Sequence, residues 1–174
     1  MTTETESEVH AHLREIYATY WSTPSPEEKK AFFSPSCRQI CRSDPSYAAR
    51  DRDAIVAYLH EAGDKFKHLI SDSPTHKGIF TMRPLTEEER RDFGSEEYLG
   101  PAGFTSVEEV REQAAREGWV GMRVDLWDDD GRDTGMMVKV QYWWRREDGV
   151  WLQILHDILS IGSVDGSQGK MVTL

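Results

Sequence analysis

The sequence predicts an α+β fold in which N-terminal helices cover a curved antiparallel sheet. The last third supports this most directly, because Gly118 to Gly162 holds three runs rich in aromatic and β-branched residues. Two turn signals, Asp129 to Arg132 and Asp148-Gly149, separate the runs. The first half instead carries helix-start motifs and helical periodicity. We therefore expect helices first and a three-stranded antiparallel meander at the end.

Two helices are predicted at the start of the chain. Thr5 and Glu8 have capping-box spacing, so the first helix should span about 5–21. Pro26 follows a serine N-cap and opens a short second helix that ends by Phe33. These helices supply an apolar stripe for covering the sheet.

A weak strand, a third helix and a second strand follow. Residues 36–42 alternate polar and apolar side chains, and their partner strand is not visible from local sequence. Asp51 or Asp53 caps the third helix, which either ends at Gly63 or continues for another turn over 65–69. Residues 75–85 are then predicted to form a strand.

The segment from Thr86 to Gly118 is longer than a connection between two strands requires. Glu89 and Glu109 each follow a Thr or Ser at capping-box spacing, which predicts two helices around a glycine-rich loop. This helical insertion is either a lid or rim of a binding site or a solvated appendage. The tail, 163–174, is polar and glycine-rich and is predicted to be flexible.

Composition indicates one domain, 1–174. It also argues against a nucleic acid or a membrane as a partner. The formal charge is −10 and the 21 Lys and Arg are scattered, whereas binding a phosphate backbone requires clustered cations. No apolar run approaches the roughly 20 residues that cross a bilayer. The acidic N-terminus is unlike a signal peptide, which predicts a cytoplasmic location.

Metal and redox chemistry have little support in the sequence. Cys37 and Cys41 lie in a predicted strand, too far apart to pair without a bend and without a nearby histidine. There is no P-loop, dinucleotide-type glycine pattern or His-Glu-x-x-His motif. We therefore predict no metal and no cofactor.

Strand alternation divides the last strand into two faces. Trp151, Gln153 and Asp157 share a face that mixes polar and apolar groups as a ligand cavity does, whereas His156 lies on a nearly apolar face. A carboxyl among apolar walls has a raised pKa, so Asp157 is the candidate general acid/base. The alternative is a solvated aspartate or one paired with an arginine such as Arg123.

Other residues are candidates for lining a ligand site. Aromatic side chains of the helices and loop would either stack on a flat ligand or belong to the core: Tyr17, Tyr20, Trp21, Tyr47 and Tyr58. In the meander Arg123, Trp127 and Trp144 are further candidates, although a solvent-facing polar row explains Arg123 equally well. His76 is the second histidine that could assist proton transfer.

The order of elements resembles the nuclear transport factor 2-like superfamily. The residues that carry the resemblance are the helix-one aromatics, Phe32-Phe33-Ser34-Pro35 and Asp148-Gly149-Val150-Trp151. Within the superfamily the chain resembles the SnoaL-like polyketide cyclases and their fungal relatives. The resemblance implies a cone-shaped curved sheet open at one end, and a homodimer through its outer face. In the cyclases an aspartate late in the last strand is the general acid/base, a role that falls on Asp157 by position. A histidine usually stands two residues earlier, where this chain has Leu155, and here His156 is adjacent instead.

Two functions follow from the resemblance. The first is a cofactor-independent enzyme of secondary metabolism that cyclises, isomerises or dehydrates an apolar, polyketide- or terpenoid-like molecule. Asp157 would transfer the proton, with His156 or His76 assisting. The second is a non-catalytic ligand-binding or dimerisation module, in which Asp157 is exposed or ion-paired and side chains such as Trp144 or Phe80 plug the cone.

Overall fold

The computed structural model describes residues 3–65, 77–129 and 135–167 and confirms the α+β prediction. His76, one of the candidate residues, lies outside the described residues. The helices are α1 (Glu6–Ser22), α2 (Pro26–Lys29), α3 (Arg52–Lys65), α4 (Glu96–Leu99) and α5 (Val107–Glu117). The strands are β1 (Phe33–Cys41), β2 (Lys77–Pro84), β3 (Val120–Asp129), β4 (Met136–Glu147) and β5 (Val150–Ser163). No helix among the described residues has the length and apolar character needed to cross a membrane.

Both ends of α1 are closed by side chains. At its start Thr5 Oγ1 accepts from the Glu8 backbone N–H at 3.3 Å, and Glu8 Oε2 accepts from the Thr5 N–H at 2.7 Å, so the predicted capping box is confirmed. At its end the buried Lys29 Nζ donates to the carbonyl oxygens of Tyr20 and Trp21, at 2.6 and 3.3 Å. The Tyr20 carbonyl also accepts from the Thr23 N–H at 3.2 Å, and the ammonium group adds a donor for both carbonyls, so it stabilises the helix end.

The sheet has five strands in the order β1-β5-β4-β3-β2. The predicted meander of β3, β4 and β5 is confirmed as antiparallel. β1, however, pairs in parallel with β5, so the sheet is mixed rather than wholly antiparallel. A parallel pair needs a long crossover, and here the rest of the sheet lies between the two partners in sequence. Local sequence therefore could not reveal the partner of β1.

The register between β4 and β5 is irregular at two places. Trp143 pairs with Leu155 but Trp144 pairs with Gln153, which leaves Ile154 as an extra residue in β5. A second irregularity leaves Leu159 extra. Such a bulge shifts the alternation of side chains by one position. Strict alternation along β5 therefore fails.

The sheet separates two hydrophobic cores. On the inner face, which we define as the face covered by α1 and α3, the largest fully buried side chains include Tyr17, Ile55 and Trp144. The outer face is covered by the segment 85–119, whose Phe93 and Val110 pack against Trp143 and Leu155. The insertion is therefore a packed layer rather than a solvated appendage.

This packing also restricts the predicted homodimer. Trp143 and Leu155 lie on the outer face, through which the homodimer was predicted to form, and the chain's own segment 85–119 already buries both. Only the remainder of the outer face is open to a second copy.

Candidate functional site

A small cavity lies between the inner face of the sheet and α3. Its volume is about 140 Å³, which is below the roughly 300–1,000 Å³ of sites for drug-sized ligands. Its wall is mostly apolar. The residues with polar groups in the wall are Tyr20, Gln39, Tyr47, Tyr58, Glu61, Tyr142 and His156. The cavity therefore fits a small apolar molecule that carries few polar atoms.

His156 is the most chemically versatile group of this wall. Its Nε2 lies 2.6 Å from Gln153 Oε1, and its Nδ1 lies 3.4 Å from Gln39 Oε1. Gln39 is itself oriented, because its Nε2 donates to the Tyr47 carbonyl oxygen at 2.9 Å. Gln153 can reach His156 only because the extra Ile154 brings both residues to the inner face.

The protonation of this wall follows from its burial. Burial lowers the pKa of His156 to about 3, because the apolar surroundings destabilise the imidazolium. The ring is therefore neutral at physiological pH. Burial also raises the pKa of Tyr142 to about 12 and that of Tyr20 well above its ordinary value, so both hydroxyls keep their protons.

Asp157 lies on the outer face, so the prediction that it faces the ligand cavity is wrong. Arg42 binds both carboxylate oxygens, with Nε 3.0 Å from Oδ1 and Nη2 2.6 Å from Oδ2. Arg42 Nη1 also donates to both oxygens of Asp92, at 3.0 and 3.1 Å. The two ion pairs link the residue after β1 to β5 and to the segment 85–119, which we call the outer segment. Burial raises the pKa of Asp157 to about 6, although Arg42 acts in the opposite direction.

The alternative foreseen for Asp157, an ion pair with an arginine, is therefore present, but with Arg42 in place of Arg123. Arg123 instead donates to Asp125 at 2.9 Å, also on the outer face. Trp127 pairs with Met137 and Ile79 on that same face, away from the cavity.

The other predicted residues divide between the cavity wall and the inner core. Tyr20, Tyr47 and Tyr58 line the cavity. Tyr17, Trp144 and Trp151 are buried in the inner core, and Trp21 packs at its margin, 5.5 Å from the ring of Phe80. Gln153 contacts His156 from the inner face.

Sequence reasoning missed Gln39 and Tyr142. Gln39 reaches the site through the parallel pairing of β1 with β5, for which there was no local signal. Tyr142 lies in the middle strand of the predicted meander, but it was not recognised as part of a site. Within the described residues, no group of three or more His, Cys, Asp or Glu side chains could hold a metal ion. Both cysteines are free and buried.

The curved, unclosed sheet with N-terminal helices on its inner face is the architecture of solved structures described as NTF2-like or cystatin-like. One similar structure is a protein of unknown function with a cystatin-like fold from Nostoc punctiforme, with a TM-score of 0.54, 13% identity and coverage of 96% of this chain and 98% of that chain. Another is an NTF2-like protein of unknown function from Pseudomonas putida, with a TM-score of 0.50, 11% identity and coverage of 97% and 98%. The β subunit of the benzoate 1,2-dioxygenase from Burkholderia mallei has a TM-score of 0.50 at 6% identity, over 91% and 92% of the two chains. At such identities the likeness shows the fold alone.

The family follows from the sequence match. The SnoaL-like domain matches residues 2–173, so the chain belongs to the SnoaL-like domain family. No curated protein matches the chain in sequence.

Proposed function

We propose that this SnoaL-like chain is a cofactor-independent acid/base enzyme that acts on a small apolar molecule in the inner-face cavity, with His156 as the proton acceptor. The observation that carries the proposal is that both ring nitrogens of His156 face carboxamide oxygens. A neutral imidazole has one donor nitrogen and one acceptor, whereas an imidazolium donates from both. The arrangement is thus complementary to the ring after it has taken a proton.

The short contact of Nε2 with Gln153 Oε1 favours a proton on Nε2, which leaves the lone pair on Nδ1. In the proposed step, a C–H bond beside a ligand carbonyl breaks and its proton passes to Nδ1. The electron pair moves to the carbonyl oxygen as an enolate. Gln39 Oε1 and Gln153 Oε1 then accept from the imidazolium, and Gln39 needs no reorientation because its side chain is already held by the Tyr47 carbonyl oxygen.

Return of the proton from Nδ1 to a different carbon isomerises the molecule. In a dehydration, the enolate re-forms the carbonyl and makes a C=C bond to the next carbon, whose C–O bond breaks, and the leaving hydroxide takes the proton from Nδ1 and departs as water. Tyr20 and Tyr142 keep their protons and lie in the same wall, so their hydroxyls are the donors suited to the ligand oxygen. A polyketide- or terpenoid-like substrate, a role in secondary metabolism, a cytoplasmic location and a homodimer are part of the proposal through family membership.

The test is cofactor-free turnover of small ketones that fit the cavity. We expect the protein to exchange the hydrogens beside the carbonyl of cyclohexanone in deuterium oxide, and to conjugate a β,γ-unsaturated cyclohexenone. His156→Gln should lower both rates roughly a hundredfold or more, the usual contribution of a general base. Asp157→Asn, as the matched neighbour outside the cavity, should retain them. Full activity in folded His156→Gln, or its loss only in folded Asp157→Asn, would overturn the assignment.

A second candidate is a non-catalytic ligand-binding module of the same fold. The observation in its favour is that Trp144 is fully buried in the inner core, as expected if side chains fill the cone and leave only a small cavity. The same experiment separates the two, because a binding module should show ketone binding by calorimetry without any exchange above the buffer rate.

A further inference from the structure

The turn Pro45–Tyr47 follows β1 and contributes its last residue to the wall of the inner-face cavity. At its start, Asp44 Oδ1 accepts from the Ser46 backbone N–H at 3.0 Å. Just after it, the backbones of Gln39 and Ala49 exchange two hydrogen bonds of 2.9 Å, which tie the chain to β1. The turn is therefore held at both ends.

Tyr58 of α3 holds the middle of this turn. Its hydroxyl donates to the Ser46 carbonyl oxygen at 3.0 Å and lies 3.3 Å from the Ala48 carbonyl oxygen. Its ring meets the Tyr47 ring edge-on, with centroids 5.6 Å apart. The Tyr47 carbonyl comes between those two carbonyls along the chain, so its direction depends on both of them. The hydroxyl of Tyr58 therefore helps to fix where the Tyr47 carbonyl oxygen points.

The Tyr47 carbonyl oxygen decides which way the amide of Gln39 faces. A carbonyl oxygen can only accept hydrogen bonds, so Gln39 presents its Nε2, which donates at 2.9 Å. The amide oxygen is thereby turned toward His156, with Oε1 3.4 Å from Nδ1. Half a turn of the amide would bring two oxygens together at the Tyr47 carbonyl, and it would present Nε2 to the imidazole ring instead.

This orientation controls whether His156 Nδ1 can take a proton. A reversed amide would donate an N–H to Nδ1 and occupy its lone pair. It would also face the imidazolium with a second donor, where the ring needs an acceptor. With the oxygen facing Nδ1, none of the described residues donates to this lone pair, and the acceptor for the imidazolium is already in place.

We propose that Tyr58 is a positioning residue for His156. Its hydroxyl fixes the turn, the turn fixes the amide of Gln39, and the amide keeps Nδ1 free for the proton of the ligand. The link runs through contacts of 3.0, 2.9 and 3.4 Å and joins α3 to β5. This role rests on the proposed function, in which Nδ1 takes the proton.

A double-mutant cycle tests the link on the full-length protein, with the hydrogen exchange of cyclohexanone in deuterium oxide as the readout. Tyr58→Phe keeps the ring and removes only the hydroxyl, so the exchange rate should fall roughly three- to tenfold, the usual effect of one lost hydrogen bond. Gln39→Met replaces the amide by a side chain of similar length and should lower the rate roughly tenfold or more. In the Gln39→Met background, Tyr58→Phe should change the rate by less than about twofold, because the link is already broken.

The matched control is Tyr98→Phe, which removes a hydroxyl from α4, outside the cavity wall, and should retain the wild-type rate. Two results would overturn the positioning role and leave the proposed function standing. The first is a wild-type rate in Tyr58→Phe. The second is an equal loss from Tyr58→Phe in both backgrounds, which would mean that the hydroxyl acts without Gln39.

The nitrogen NMR resonance of His156 Nδ1 gives a second readout, which does not depend on turnover. In Tyr58→Phe it should shift toward the position of a nitrogen that accepts a hydrogen bond, because Gln39 can then turn its Nε2 to the ring. In Tyr98→Phe it should not move. If the wild type exchanges no ketone, the proposed function is wrong, and this resonance decides the role of Tyr58 by itself. A shifted resonance would support that role and an unmoved one would overturn it.

Discussion

The neighbouring residues His156 and Asp157 should give folding stability opposite dependences on pH. Both are buried, on opposite faces of β5. The folded-state pKa of His156 is lowered to about 3 and that of Asp157 is raised to about 6. In the unfolded chain the corresponding values are about 6.5 and about 3.9. Each residue therefore binds a different number of protons in the two states over the same acidic range.

For His156, the unfolded chain takes up a proton below about pH 6.5 that the folded protein does not bind. Its contribution to stability therefore falls as pH falls, by about 1.4 kcal/mol per pH unit. For Asp157, the folded protein binds a proton below about pH 6 that the unfolded chain does not take up until about pH 3.9. Its contribution is fully present below the unfolded pKa and is lost as pH rises through the folded pKa. Between about pH 4 and 6 the two slopes nearly cancel.

Single substitutions should reveal how each residue makes the free energy of unfolding depend on pH. Relative to wild type, Asp157→Asn should lose about 3 kcal/mol more of its free energy of unfolding between about pH 6 and 4, and His156→Gln should gain a similar amount. The assay is urea denaturation followed by tryptophan fluorescence at each pH, compared as slopes so that a constant loss from the substitution does not matter. Asp44→Asn is the control, because Asp44 is exposed and its pKa is lowered, which places its effect below this range. Parallel curves for all four proteins would refute the reasoning.

Two further predictions concern packing. Lys29→Met should lower the free energy of unfolding by about 1–3 kcal/mol, because the carbonyls of Tyr20 and Trp21 lose their buried donor, and urea denaturation measures this loss. Lys30→Met, at the half-buried neighbouring lysine, should change it by less than about 1 kcal/mol, because the ion pair of Lys30 is with the exposed Asp53. Gly121→Ala should lower the melting temperature and cost about 1–3 kcal/mol, because the added Cβ would overlap Leu85 and Trp143. A Gly121→Ala variant as stable as wild type would mean that these side chains can move apart.

The parts of the fold that depend on local sequence could be predicted. The capping box at Thr5, the turn at Asp148-Gly149 and the alternation along β3 and β4 each depend on residues close together in the chain. The position of β1 could not be predicted, because its pairing with β5 joins residues such as Gln39 and His156 that lie far apart in sequence. The packed role of the segment 85–119 was missed for the same reason.

At the candidate site, too, local sequence was not enough, because a single extra residue in β5 changed which side chains face the cavity. Alternation is a local rule, but whether a strand bulges depends on what both of its faces contact. Here the side chains of Ile154 and Leu155 both pack in the outer core, where they bury apolar surface of the outer segment. The result is one extra residue in β5. Gln153 and Asp157, which were predicted to share a face, therefore lie on opposite faces. Sequence pattern found the two ionisable residues but could not assign their faces.

The outer segment also explains why a histidine and an aspartate that are adjacent in sequence form two separate sites. Because the segment 85–119 covers the outer face, the central part of β5 is buried on both sides, and a polar residue on either face needs its own partner. His156 obtains Gln39 and Gln153 on the inner face, whereas Asp157 obtains Arg42. Arg42 in turn binds Asp92 of the segment, so the carboxylate helps to hold the layer that buries it. The same residue pair thus lines the cavity on one face and attaches the second layer on the other.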